Sequence, residues 1–222
     1  MTEKQADQII NRIENILEKL PEAIKQATKR IIEGDQVESK VKILSLYEDD
    51  INVIKRGKAN ASVEFGNVLW LAENRNGLLG DWFLYKENIA DNAEGPLKRC
   101  VEELENIDTE TKLEKVWTDR GMDSRQNREM LEEKEIFNGI YPKSVKDLEE
   151  KMRDESYAQG QRRRGSTEAR VAIFKRKFVG DPQLEKGYAN KRGAIGWEVL
   201  AHNLWVLARL PKAIELEEEK AA

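Results

Sequence analysis

The chain has 222 residues, enough for one sizeable α/β domain with a helical extension and too few for two large domains. Charged side chains make up 36% and mean hydropathy is −0.72, yet five Trp, five Phe and five Tyr spread along the chain exclude a disordered protein. No apolar run approaches the roughly 18 residues of a membrane span, the start lacks the pattern of a signal peptide, and a single Cys and a single His exclude a disulfide framework or a thiolate or imidazole zinc cage. A cytoplasmic protein with no membrane partner is expected, and any metal in it would be a hard ion held by oxygen.

Ile9, Ile13, Ile16 and Leu20 recur at helical spacing, Pro21 is suited to the first turn of a second helix, and Gly34 suits its end. Residues 5–33 therefore read as a helical hairpin within an N-terminal segment, 1–40. From Val41 the texture changes. Two apolar runs flank Asn74-Arg75-Asn76-Gly77, a hairpin signal in which Asn-Gly takes positive φ; the pair reads as part of a larger sheet. Asp91 is suited to cap a helix through "NAEGPLKRCVEELENI". A short strand around Val116 and Trp117 stops at Asp119-Arg120-Gly121, and a helix capped by Asp123 or Ser124 follows. "IFNGIYPKS" is a strand broken by Pro142. A helix from about Ser166 to Phe178 and the apolar helix "AIGWEVLAHNLWVLARL" close the domain, 41–212, before an acidic tail, 213–222. This order fits a mixed sheet flanked by helices.

Net charge is −4, but residues 160–192 carry ten Lys or Arg against Glu168, Asp181 and Glu185. A basic zone on an acidic body points to an anionic partner at one face; a solvated helix face is the plain alternative. Asp119 stands at a strand end, where carboxylates project into the crevices of α/β sheets. Glu168 is read in the first turn of its helix, favoured there by the macrodipole. Lys175 follows by seven residues on the same side, and Arg164 joins that face if the helix reaches back through Gly165. Val171, Phe174 and Phe178 form a neighbouring anchoring stripe. Carboxylates from separate elements beside Lys and Arg suit phosphodiester cleavage and transfer with two divalent ions. The competing reading is that Asp119 caps a turn and Glu168 is a helix-end carboxylate. His202, Cys100, Trp70, Trp82 and Trp117 read as packing residues.

At these residues the chain resembles the catalytic domain of prokaryotic insertion-sequence transposases of the DDE type, which have an RNase H-like fold. Glu168, six residues and Lys175 match that family's signature, as does Arg164 three intervening residues earlier; Gln161 stands where the family has tyrosine. "VWTDRGMDSRQN" resembles the second-aspartate segment, "KRGKANASVEFGNVLWLAENRNGLL" the hairpin strands, "NIADN" with Asp91 a structural segment, and "KGYANKRGAIGWEVLAHNLWVLARL" the closing helices. The resemblance runs from about residue 24 to 212. It implies Asp119 and Glu168 as catalytic metal ligands for Mg²⁺ or Mn²⁺ in a two-metal site. It also implies Arg162, Arg163, Arg164 and Lys175 as DNA-binding residues, and double-stranded DNA, both transposon ends and target, as the partner. The family's first catalytic aspartate, on the first strand of the fold, has no counterpart; Asp49 and Asp50 are the nearest acids but lie in a stretch matching the region just upstream of the hairpin. The expectation is an incomplete RNase H-like α/β fold, a transposase fragment inactive in this copy or a non-catalytic nucleic-acid-binding or protein-interaction remnant. The missing strand would leave an unpaired edge, from which a homodimer, domain swapping or marginal stability is expected.

Overall fold

A computed structural model of the protein describes residues 1–38, 41–58, 61–89, 94–107, 112–180 and 183–210. It is a mixed α/β chain in two units, the first built mainly from residues 1–67 and the second from residues 68–85 and 89–185 with the last helix.

The first unit begins with α1, Glu3–Ala27, whose start is fixed by a capping box: the Gln5 N–H donates to Thr2 Oγ1, and the Thr2 N–H donates to Gln5 Oε1 at 2.8 Å. The helix runs straight through Pro21 and ends in a π-helical turn, Thr28–Ile32, so the expected helical hairpin is a single helix. Proline removes one bond of the ladder, and the flanking Leu-Glu-Lys-Leu and Glu-Ala-Ile-Lys are strong helix formers that carry the helix past it. Gln26 clamps Ile43 through both amide atoms, at 3.2 and 2.9 Å, and Lys19 pairs with Asp49. Strands β1, Asn52–Lys58, and β2, Ala61–Gly66, form an antiparallel pair.

In the second unit, β3, Leu69–Glu73, and β4, Leu79–Leu84, form the expected hairpin. Gly77 takes φ +83° and Asn74 Oδ1 accepts from the N–H groups of Asn76 and Leu78 at 2.9 and 3.1 Å, which closes the turn. Helix α2, Glu94–Ile107, follows; its expected cap, Asp91, lies outside the described residues, as does the acidic tail. Next comes a β–α–β unit: β5, Lys115–Thr118, α3, Arg125–Glu133, capped by Ser124, and β6, Phe137–Ile140, parallel to β5. Helices α4, Val145–Lys151, α5, Glu155–Phe174, and α6, Tyr188–Leu207, complete the fold.

The core lies where α2, α3 and β6 meet: Leu97, Val101, Leu131, Ile136 and Ile140 are buried, with Trp70 and Val116 packed on them. Cys100 is buried beside Leu97 and Val101 in sequence, and burial pushes its thiol up to about 12. Phe174 and Phe178 stack at 6.1 Å and both meet the buried His202 ring edge-on, at 5.6 and 5.3 Å, so the anchoring stripe and the packing histidine find each other.

The larger mixed sheet is not formed among the described residues, whose strands make three two-stranded sheets. Helix side chains occupy backbone groups that a further strand would have used. Asn203 of α6 accepts from the Leu79 N–H at 2.8 Å and donates to its carbonyl at 2.9 Å. On β6 the Gly139 carbonyl accepts from Gln161 at 2.7 Å and the Ile140 carbonyl from the Tyr157 hydroxyl at 3.1 Å. Each donor satisfies a group that would otherwise cost the desolvation of an unpaired peptide.

Candidate functional site

The carboxyl ends of β5 and β6 lie side by side, because the Tyr141 N–H donates to the Thr118 carbonyl and extends the parallel ladder by one residue. Asp119 is the next residue out. It caps the 3₁₀ turn Arg120–Met122, its Oδ1 accepting from the Gly121 N–H at 2.9 Å, and its side chain is exposed. The turn-cap reading of Asp119 therefore holds, and the same geometry leaves the carboxylate at the strand end, as the strand-end reading expected.

Helix α5 crosses this strand pair in close contact. A Cβ on Gly160 would sit 1.9 Å from Trp117 Nε1, so only glycine admits the indole of β5 against the helix. Asp154 fixes the helix start by accepting from the N–H groups of Ser156 and Tyr157. The helix thus begins eleven residues before the expected Ser166 and continues through Gly165. Arg164 and Glu168 accordingly share a face, one turn apart, with 3.7 Å between them. Glu168 lies deep in the helix and gains nothing from the N-terminal dipole, a correction to the first-turn reading.

Arg164 is held on three sides. Its Nε donates to Gln161 Oε1 at 3.1 Å, its guanidinium stands 5.9 Å from the centre of the Tyr141 ring, and Glu168 is its ionic partner. Arg120 approaches the same tyrosine at 5.4 Å, so Tyr141 links the turn after Asp119 to the helix that carries Glu168. Buried Gln161 is fixed in turn by Gly139 and by the Tyr157 hydroxyl, whose pKa burial raises. Gln161 is thus the residue that aims Arg164. Sequence reasoning named Gln161 only as a departure and missed Tyr141 and Arg120; the signals were a tyrosine before the strand-breaking Pro142 and an arginine directly after the strand-end aspartate.

The expected cationic face divides. Arg162 pairs with Glu155 at 2.5 Å in solvent. Arg163 turns toward the hairpin and donates to the Asn74 and Arg75 carbonyls; burial, with Arg170 beside it, lowers its pKa. Lys175 is exposed at the start of the π-helical turn Lys175–Val179, with Arg176 and Lys177 next to it. Consecutive residues on a helix point 100° apart, so three adjacent arginines cannot serve one surface. Arg170, not singled out in the sequence, bonds Glu73 at 2.9 Å and packs its stem over Gly77, which locks α5 to the β3–β4 turn.

Among the described residues no group of three or more His, Cys, Asp or Glu side chains is placed to hold a metal ion. Asp119 is engaged as a cap and Glu168 faces an arginine, so these two carboxylates do not by themselves complete a two-ion site. Asp49 and Asp50, in the first unit, are each paired with a lysine, Lys19 and Lys86; the pairing with Asp50, at 3.0 Å, raises the pKa of Lys86. No family model, curated protein or solved structure matches the chain.

Proposed function

We propose that the protein is a DNA-binding chain of the DDE transposase type, with an RNase H-like catalytic fold whose carboxylates include Asp119 and Glu168. The observation that carries this reading is the bridge Asp119–Arg120–Tyr141–Arg164–Glu168. A strand end that carries Asp119 and a crossing helix that carries Glu168 are linked through the Tyr141 ring with an arginine at each side, Arg120 and Arg164, and the exposed cations Lys175, Arg176 and Lys177 follow at the C-terminal end of that helix. The parallel β5–α3–β6 unit with a helix across it supports the fold assignment. In this reading Arg164 and Lys175 contact DNA phosphates as charge-assisted donors. Arg162 and Arg163 support the helix. Divalent-dependent strand cleavage and strand transfer then need a further carboxylate beside Asp119 and Glu168. That requirement favours a second reading, in which this chain binds double-stranded DNA without cutting it.

Fluorescence anisotropy with a short DNA duplex at low salt tests both. Binding by the parent chain, weakened about tenfold or more by Lys175→Glu and by Arg164→Ala, is the expected result; no binding at low salt sinks the proposal. Mn²⁺ calorimetry and plasmid nicking on the parent, Asp119→Asn and Glu168→Gln chains then separate the readings. Nicking lost in both variants assigns the two carboxylates to one catalytic centre, and DNA binding without metal uptake assigns the non-cleaving role.

A further inference from the structure

Helix α1 has no buried residue along its 25 positions. One face, with Ile16, Lys19, Ala23 and Gln26, is half-buried and is held to the same unit through Asp49 and Ile43. The other presents Ile10, Ile13, Leu17, Leu20, Ile24 and Ala27, spaced alternately by three and four residues. The five large side chains among them are between 36% and 59% exposed. That alternation is the seam of a two-helix coiled coil, and it matches another helix of the same period rather than a sheet or an irregular segment. Because the helix does not break at Pro21, the seam from Ile10 to Ala27 is continuous over about 26 Å, at 1.5 Å per residue. Pro21 itself lies beside the seam, directly after Leu20, and leaves the packing positions free.

The charges select the occupant. Residues 3–18 are net negative, with Glu3, Asp7, Glu14 and Glu18 against Lys4 and Arg12. Residues 19–32 are net positive, with Lys19, Lys25, Lys29 and Arg30 against Glu22. A second α1 running antiparallel sets each half against its opposite and pairs the helix dipoles head to tail; a parallel copy sets like against like. The antiparallel register also closes the layers: Ile10 meets Ala27, Ile13 meets Ile24 and Leu17 meets Leu20 of the second copy.

We infer that two copies of the chain associate through an antiparallel α1–α1 coiled coil. The seam is built from α1 alone and includes none of Asp119, Glu168 and Arg164, so the dimer stands or falls independently of the DNA reading. Sedimentation equilibrium of the full chain tests it. The expected mass is twice 25.6 kDa, falling to 25.6 kDa in Ile13→Glu and in Leu17→Glu with far-ultraviolet circular dichroism retained, since neither side chain is buried within the single chain. A monomeric parent overturns the inference, and so does a dimer that survives both substitutions. Orientation is read by disulfide cross-linking. The double variant Leu17→Cys/Leu20→Cys cross-links between copies, whereas Ile24→Cys alone does not, its two thiols standing roughly 16 Å apart along the axis. Cross-linking of Ile24→Cys alone would show parallel helices and overturn the antiparallel assignment.

Discussion

Glu198 of α6 shows how one side chain can set a pH dependence. Its Oε2 is buried without a partner among the described residues, and burial together with the nearby Glu185 raises its pKa. Ionisation is therefore harder in the folded chain than in the unfolded one. The folded state loses stability as pH rises from the ordinary glutamate value through the raised one, and the penalty is complete above that window. Glu198→Gln removes the charge, so its thermal midpoint should exceed the parent's at pH 8 and converge on it as pH falls toward 4.5. Two melting series at matched ionic strength check this, and a constant offset across the range would remove the titration of Glu198 as its cause. Gln161 is the other decisive single residue. Its amide spans the β6 backbone and Arg164, so Gln161→Leu should leave Arg164 unaimed and, if the proposed DNA-binding reading holds, weaken the anisotropy-measured affinity for duplex DNA while Lys175 remains in place.

Elements here are joined by side chains reaching backbone. Asn203 bonds both polar atoms of Leu79 and so completes the end of β4 in place of a neighbouring strand. Asn203→Ala leaves a part-buried N–H and carbonyl unpaired and should cost about 1–3 kcal/mol in urea unfolding. Helix α5 is positioned by a different device, the absence of a side chain at Gly160. Gly160→Ala drives a methyl group into the Trp117 indole and should destabilise by roughly 1–3 kcal/mol, in the range of overpacked cores, despite alanine's better helix propensity. A variant as stable as the parent would mean that α5 can shift along β5 without cost.

At the scale of the whole molecule, a chain of net charge −4 would bind any anion against its own mean field, so the proposed DNA complex would depend on the local basic zone and on salt. If Arg164 and Lys175 make the phosphate contacts, with Arg176 and Lys177 beside them, the slope of log K against log salt should lie between about −2 and −4, at roughly 0.9 per phosphate. Lys175→Glu should reduce that slope by about one, which anisotropy titrations at several salt concentrations measure. A slope near zero would show that recognition does not proceed through phosphates.

The sequence by itself determined what local chemistry decides. Asn74 and Gly77 set the hairpin, Ser124 the start of α3, and Asp119 the end of β5, because a turn, a cap or a strand stop needs only a few neighbouring residues. The spacing from Arg164 to Glu168 to Lys175 was legible for the same reason, and so were the candidate acids. Only the tertiary structure decided the rest. Gly160 and Gly165 look like helix breakers until Trp117 packs against the first of them, so α5 begins at Glu155. Three adjacent arginines look equivalent until Glu155, the hairpin carbonyls and Tyr141 each claim one. Pro21 looks like a boundary, and the helix passes it. Apart from that last case and the local pair Arg162–Glu155, these outcomes turn on partners far along the chain, whose contact energies exceed the local preferences that a sequence displays.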